Sequence, residues 1–235
     1  MPRKIKVSKK KVKEPDEFIS TSSLIINYVR NNYRNIIPVA AVVLIVAIIT
    51  VGWFYYSSKR EKEAAHLFYQ SKQLYNSSKN IQNNYQSVVE RYRLSLGKFE
   101  DIRNEYSGTS SAIESLFYIG DCHYNLREYD KAVDNYEQFL NRSRKGNYLR
   151  YFAFEGLGYC YEEKGDYEKA LEHFTKSMEE GGIDIKELAY LNIARCYEAL
   201  NNKAKALEFY KKLIDDQNNS IFSELVQNKV EILMN

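Results

Sequence analysis

The chain has 235 residues, with 34 Lys/Arg against 31 Asp/Glu, three cysteines and three prolines, enough for one domain and additional segments. Its charge is uneven: residues 1–35 carry nine basic and three acidic side chains, residues 36–56 carry none, and residues 57–235 are net acidic. The main body is therefore not a basic nucleic-acid-binding domain, and an odd, small cysteine count argues against a disulfide framework.

Residues 1–35 form a Lys-rich tail, read here as a topology signal rather than a nucleic-acid arm. Within it, Leu24, Ile25, Ile26, Tyr28, Val29 and Tyr33 alternate with Arg30 and Arg34 at helical spacing, which predicts an amphipathic helix lying on a membrane surface. Residues 36–56 read IIPVAAVVLIVAIITVGWFYY. As a helix this segment is about 31 Å long, against a hydrocarbon thickness of about 30 Å. It predicts one transmembrane helix, with Pro38 in its first turn and Trp53, Tyr55 and Tyr56 at an interface. A cleavable signal would have a shorter apolar stretch and small residues after it. The flanking charge places the N-terminus in the cytoplasm and residues 57–235 on the far side.

Residues 57–109 are expected to hold a linker helix and a degenerate first helix pair. Ala64, Leu67, Phe68, Ser71 and Tyr75 share one face, and Phe99 and Ile102 mark the second helix after a polar stretch at 76–84. Ser111 and Glu114 have the spacing of a capping box opening the next helix.

From residue 110 the chain repeats itself. Gly120, His123, Ala132 and Tyr136 recur as Gly158, Tyr161, Ala170 and Phe174, and again as Ala194, Tyr197, Ala206 and Tyr210, with periods of 38 and 36 residues. Small residues mark close helix approaches and aromatics fill the gaps between helices, so each unit is a pair of helices that must stack on its neighbours to bury its apolar face. Turns at Ser107-Gly108, Gly146-Asn147 and Gly181-Gly182 separate the units. Three units are expected over residues 110–219, then an amphipathic helix over 220–235 capping the array. The fold class is all-α: a transmembrane helix followed by an α-solenoid.

These residues resemble the tetratricopeptide repeat over about residues 110–215. The period is longer than the family's ~34 residues, and the proline that usually closes a unit is absent. The resemblance implies that the first helix of each pair lines a peptide-binding groove. By register that groove holds Phe117, Asp121, Tyr124, Glu155, Tyr159, Glu162, Leu191, Arg195 and Glu198. Aromatic and acidic groups together suit an apolar or basic extended peptide; equally, several of these residues could simply pack or be solvated.

Signs of catalysis or metal binding are lacking. Cys122, Cys160 and Cys196 occupy equivalent repeat positions, about a helix diameter or more apart, and are read as buried packing residues. His66, His123 and His173 are scattered, and Gly156-Leu157-Gly158 lacks the third glycine of a nucleotide loop. No enzyme activity and no cofactor are expected.

The whole layout, with the segment FEDIRNEYSGTSSAIESLFYIGDCHYNLREYDKAVDNYEQFL, also resembles the bacterial ancillary subunit of the Sec translocon. That resemblance implies a single-pass inner-membrane protein with a periplasmic repeat domain. Its partners would be translocon subunits, a membrane-anchored periplasmic chaperone and emerging polypeptides, beside the lipid bilayer itself. Two alternatives stay open: an envelope scaffold for division or outer-membrane assembly, and a signalling protein acting through residues 1–35.

Overall fold

The computed structural model describes residues 17–79, 85–181, 186–216 and 223–234. They form α1 (Glu17–Lys79), α2 (Tyr85–Glu105), α3 (Ser110–Asn125), α4 (Tyr129–Arg142), α5 (Leu149–Glu163), α6 (Tyr167–Gly181), α7 (Lys186–Ala199), α8 (Lys203–Asp216) and α9 (Ser223–Met234). The chain divides into two compact units, at Ser57 and Ser58.

In the first unit the described residues belong to α1 alone. Among the described residues, α1 is the helix long and apolar enough to cross a membrane, and its apolar window is wholly uncovered by protein. Thr50 turns its hydroxyl back onto the carbonyl of Ala47 (2.9 Å), which hides the one polar side chain in mid-segment. Pro38 lies in the interior of α1 and not in a first turn. The helix starts more than five turns earlier because nothing between Glu17 and Pro38 breaks the backbone pattern. The surface stretch at 24–34 is likewise part of α1 and not a separate helix. Residues 1–16, which carry seven of the nine basic side chains of the tail, lie outside the described residues.

The second unit is a stack of helix pairs. Each helix from α2 onward packs on the next in the chain, and α3 also packs beside α5. The end of α1 pairs with α2 through rings: Phe68 meets Phe99 edge-on at 5.8 Å, and Tyr75 meets Tyr92 at 5.9 Å. Ala64, Ser71, Tyr75, Phe99 and Ile102 are buried, whereas Leu67 stays exposed at the edge of that face. The polar stretch from residue 76 is helical as far as Lys79, and residues 80–84 lie outside the described residues.

The repeated small and aromatic positions have a direct steric meaning. Tyr136 on α4 wedges between α3 and α5, where a Cβ on Gly120 would lie 2.9 Å from its ring and one on Gly156 would lie 2.6 Å away. Phe174 on α6 packs on Gly158 in the same manner, at 2.5 Å. Both rings are almost wholly buried, each burial contributing roughly 1.5–3 kcal/mol. Cys122, Cys160 and Cys196 are fully buried at equivalent points of α3, α5 and α7. Burial pushes the thiols of Cys160 and Cys196 up to about 12.

The turn inside each pair repeats atom for atom. Arg127 N–H bonds the Tyr124 carbonyl and Glu128 N–H the His123 carbonyl; Gly165 and Asp166 do the same with Glu162 and Tyr161, and Asn201 and Asn202 with Glu198 and Tyr197. This paired closure needs a left-handed residue after the helix, and Arg127, Gly165 and Asn201 have φ of 61°, 75° and 57°. Asp166 and Asn202 then cap the following helices, each accepting at 3.2 Å from the N–H three residues on.

The cap of α3 differs from the sequence expectation. Thr109, not Ser111, is its N-cap, accepting from Ala112 N–H at 3.1 Å and donating to Tyr106 O at 2.8 Å. Ser111 sits inside the helix, and Glu114 is near Asn147 instead (3.4 Å). Thr109, Ser110 and Ser111 are all competent caps; the turn at Gly108 (φ 91°) selects the first. The array closes with α9, whose Val226 is buried and whose Val230 and Leu233 pack on the α7–α8 cluster. Residues 182–185 and 217–222 lie outside the described residues, so the expected turn at Gly182 and the link into α9 do too.

Candidate functional site

The nine residues picked by register lie on α3, α5 and α7 and fall into two groups. Phe117, Asp121, Tyr124, Glu155 and Tyr159 line one cavity of about 440 Å³. Glu162, Leu191, Arg195 and Glu198 lie outside it.

The cavity is walled by rings. Tyr124 and Tyr159 face each other at 6.3 Å, Phe117 packs on Tyr118 and Tyr136 at 5.1 and 5.8 Å, and exposed Tyr148 and Phe152 stand at its margin. Asp121 is set among hydroxyl and amide donors. Tyr75 donates to its Oδ2, Tyr136 to its Oδ1 at 3.3 Å, and the Asn125 amide reaches Oδ2 at 3.4 Å. Burial pushes the Asp121 carboxyl up to about 6 despite the Tyr136 hydrogen bond. Glu155 accepts from Tyr159 at 3.3 Å; burial raises its carboxyl too, and the nearby Asp121 charge adds to the rise. Burial lifts the Tyr159 phenol to about 12 and moves that of Tyr124 higher still. Among the described residues neither Asp121 nor Glu155 has an ion pair. Lys72 lines the cavity, but its ammonium lies 5.9 Å over the Tyr118 ring.

The second group is closed by the chain's own cations. Arg195 reaches from α7 to Glu162 on α5 and also donates to Asn192 at 3.3 Å, while Asn192 donates to the Tyr159 hydroxyl at 3.0 Å. Lys229 on α9 pairs with Glu198 at 2.7 Å, and Tyr210 donates to the other oxygen at 2.9 Å. Burial works against ionisation of Glu198, yet Lys229, Tyr210 and Arg195 together hold it below the usual carboxylate range. Leu191 is buried among Ala194, Tyr210, Leu213 and Val226, as core and not as lining.

Register found the lining from α3 and α5 but missed Tyr75, Tyr118, Tyr136, Tyr148 and Phe152. Tyr136 was visible as a conserved-offset aromatic of the repeat, though not as a phenol aimed at Asp121. The histidines do not converge: His123 bonds Glu128 at 2.8 Å, His173 stacks on Tyr161 at 5.3 Å, and exposed His66 sits beside Gln70. No group of three potential metal ligands gathers among the described residues.

The tetratricopeptide repeat family model matches residues 111–180 and 149–218, the two matches overlapping across the α5–α6 pair. Helices α3 to α8, a little under half of the chain, match as tetratricopeptide repeats. Comparison with solved structures gives the same fold. The tetratricopeptide-like repeats of a putative kinesin light chain from Podosopora anserina superpose with a TM-score of 0.53 at 14% identity, covering 74% of this chain and 86% of that one. A double mutant of MamA RS-1 gives 0.52 at 17% identity, covering 69% and 82%. A comparison with curated proteins returns no match. Tetratricopeptide repeats of this kind imply a protein–protein interaction role for these helix pairs.

Proposed function

We propose that this chain is a membrane-anchored adaptor that holds polypeptide segments against the α3–α5 face, on the non-cytoplasmic side of a bacterial inner membrane. The observation that carries this reading is an apolar segment with no protein cover, in a chain whose residues 111–218 match tetratricopeptide repeats. A soluble core helix would be buried on most of its surface; this one presents Val, Ile and Leu on every side. The nine basic residues of the first 35 set the N-terminus in the cytoplasm. The resemblance noted in the sequence supports the Sec translocon, a membrane-anchored periplasmic chaperone and emerging chains as the partners.

Topology is tested by protease added to intact spheroplasts. Digestion of residues 57–235 with protection of the tail supports the reading, and the reverse pattern inverts it. Partners are tested by photo-crosslinking from Tyr124, Tyr159 and Arg195 in cells, followed by detergent extraction. Recovery of Sec subunits supports the translocon assignment. Recovery only of division or outer-membrane assembly proteins moves the chain to an envelope scaffold.

A further inference from the structure

The repeat register shows what is distinctive about the cavity. Asp121, Tyr159 and Arg195 are equivalent positions in successive units, and so are Tyr124, Glu162 and Glu198, because both sets follow the same 38- and 36-residue steps. At the α5–α7 junction the two positions hold an arginine bonded to a glutamate. At the α3–α5 junction they hold Tyr159 facing Tyr124. The α3–α5 junction carries its acids at two other positions, Asp121 and Glu155, whose equivalents at the next junction are Tyr159 and Leu191, and this chain supplies no ion-pairing cation to them among the described residues. Burying carboxylates without a countercharge is costly, and the tyrosine hydroxyls around Asp121 offset only part of that cost, since its carboxyl remains raised to about 6.

We propose that the cavity takes the cationic side chain of a lysine or arginine from a bound polypeptide, docked between Asp121 and Glu155 and flanked by the rings of Phe117, Tyr124 and Tyr159. This rests on the adaptor reading above and names the chemistry of the segment that is held. Complementarity is both electrostatic and aromatic: ring faces attract a cation within about 6 Å, and a carboxylate gives a charge-assisted hydrogen bond. A volume of about 440 Å³ lies in the range of pockets that enclose a ligand group. Carboxylates further along the same face already take cations from within the chain: Glu162 pairs with Arg195 and Glu198 with Lys229. Among the described residues, Lys72 is the one cation on the cavity wall.

The test pans a random heptapeptide library against the full chain in zwitterionic nanodiscs at pH 7.5. The bait is wild type, the Asp121→Asn/Glu155→Gln double variant, or Lys72→Gln, each checked for native helicity. Wild type should enrich Arg or Lys at one peptide position by roughly 5- to 30-fold. The double variant should lose that enrichment while still selecting peptides. Lys72→Gln should tighten binding of a selected basic peptide, an outcome that misfolding does not produce. Replacing the selected Arg by Gln should weaken binding to wild type and leave binding to the double variant unchanged. Selection of neutral peptides, or an unchanged basic preference in the double variant, overturns this inference and leaves the adaptor reading standing. Selection of no peptide by any bait overturns both.

Discussion

The two junctions of the repeat face are built on one register and end in opposite states. Between α5 and α7, Arg195 closes on Glu162, and α9 brings Lys229 onto Glu198. Between α3 and α5, the acids stand in an aromatic cavity with no ion-paired cation among the described residues, the Lys72 ammonium on its wall lying over the Tyr118 ring. Four equivalent positions differ between the junctions (Asp121 and Tyr159, Tyr124 and Glu162, Glu155 and Leu191, Tyr159 and Arg195), and those differences separate a self-satisfied surface from one with an unmet electrostatic demand. In a repeat array, function is written in the departures from the repeat.

The largest expected effect probes what the junctions share. Phe174→Ala removes the buried ring seated on Gly158 and should cost ~3–5 kcal/mol, measured by urea unfolding followed by circular dichroism. A loss below ~1 kcal/mol would show that the packing of the α5–α6 pair is not what holds the stack. Gly156→Ala should cost ~1–3 kcal/mol, because its Cβ would lie 2.6 Å from the Tyr136 ring. That ring also lines the cavity, so this variant should lose peptide binding along with stability.

A third measurement separates the junctions by pH. Asp121 has a folded value of about 6, above its ordinary 3.8. The folded chain therefore binds the extra proton, and this group's contribution to stability falls as pH rises from about 4 to about 6, then stays level. Glu155 shifts in the same direction. Glu198 is held low, so its contribution is present above the ordinary glutamate range and is lost as pH falls through its lowered value. Hydrogen exchange, corrected for intrinsic rates, should show α3 and α5 better protected at pH 4.5 than at pH 7. Protection around α7 and α9 should decline on further acidification. Asp121→Asn should flatten the first trend and raise stability at pH 7 by on the order of 1–2 kcal/mol. The smallest expected change is Arg195→Gln. It removes a partly exposed ion pair, worth ~0.2–1 kcal/mol, but frees Glu162 and should give the closed junction a measurable affinity for the same basic peptides.

Much of this architecture was legible in the chain. The offsets from Gly120 to Tyr136 and their two copies located three helix pairs, because a close approach requires a small residue and a gap requires a ring. The burial of Cys122, Cys160 and Cys196 followed from the same register. Local choices were less legible. Three consecutive capping residues left the start of α3 open until Gly108 decided it, and Pro38 read as an N-terminal residue only because the apolar run begins beside it. In the cavity, the α3 and α5 positions were visible because they share a repeat address. Tyr75 reaches Asp121 across 46 residues, and Phe152 joins the rim from the first turn of α5; neither belongs to the repeated offsets.

The turns within the pairs carry a consequence of their own. Arginine, glycine and asparagine meet one dihedral demand at Arg127, Gly165 and Asn201, so side-chain chemistry at these corners is free to drift while backbone handedness is not. A valine or isoleucine at any of them would disrupt two helices at once, although none of the three sites is buried. Tolerance to mutation along this chain is therefore set at its corners by torsion angle and not by depth.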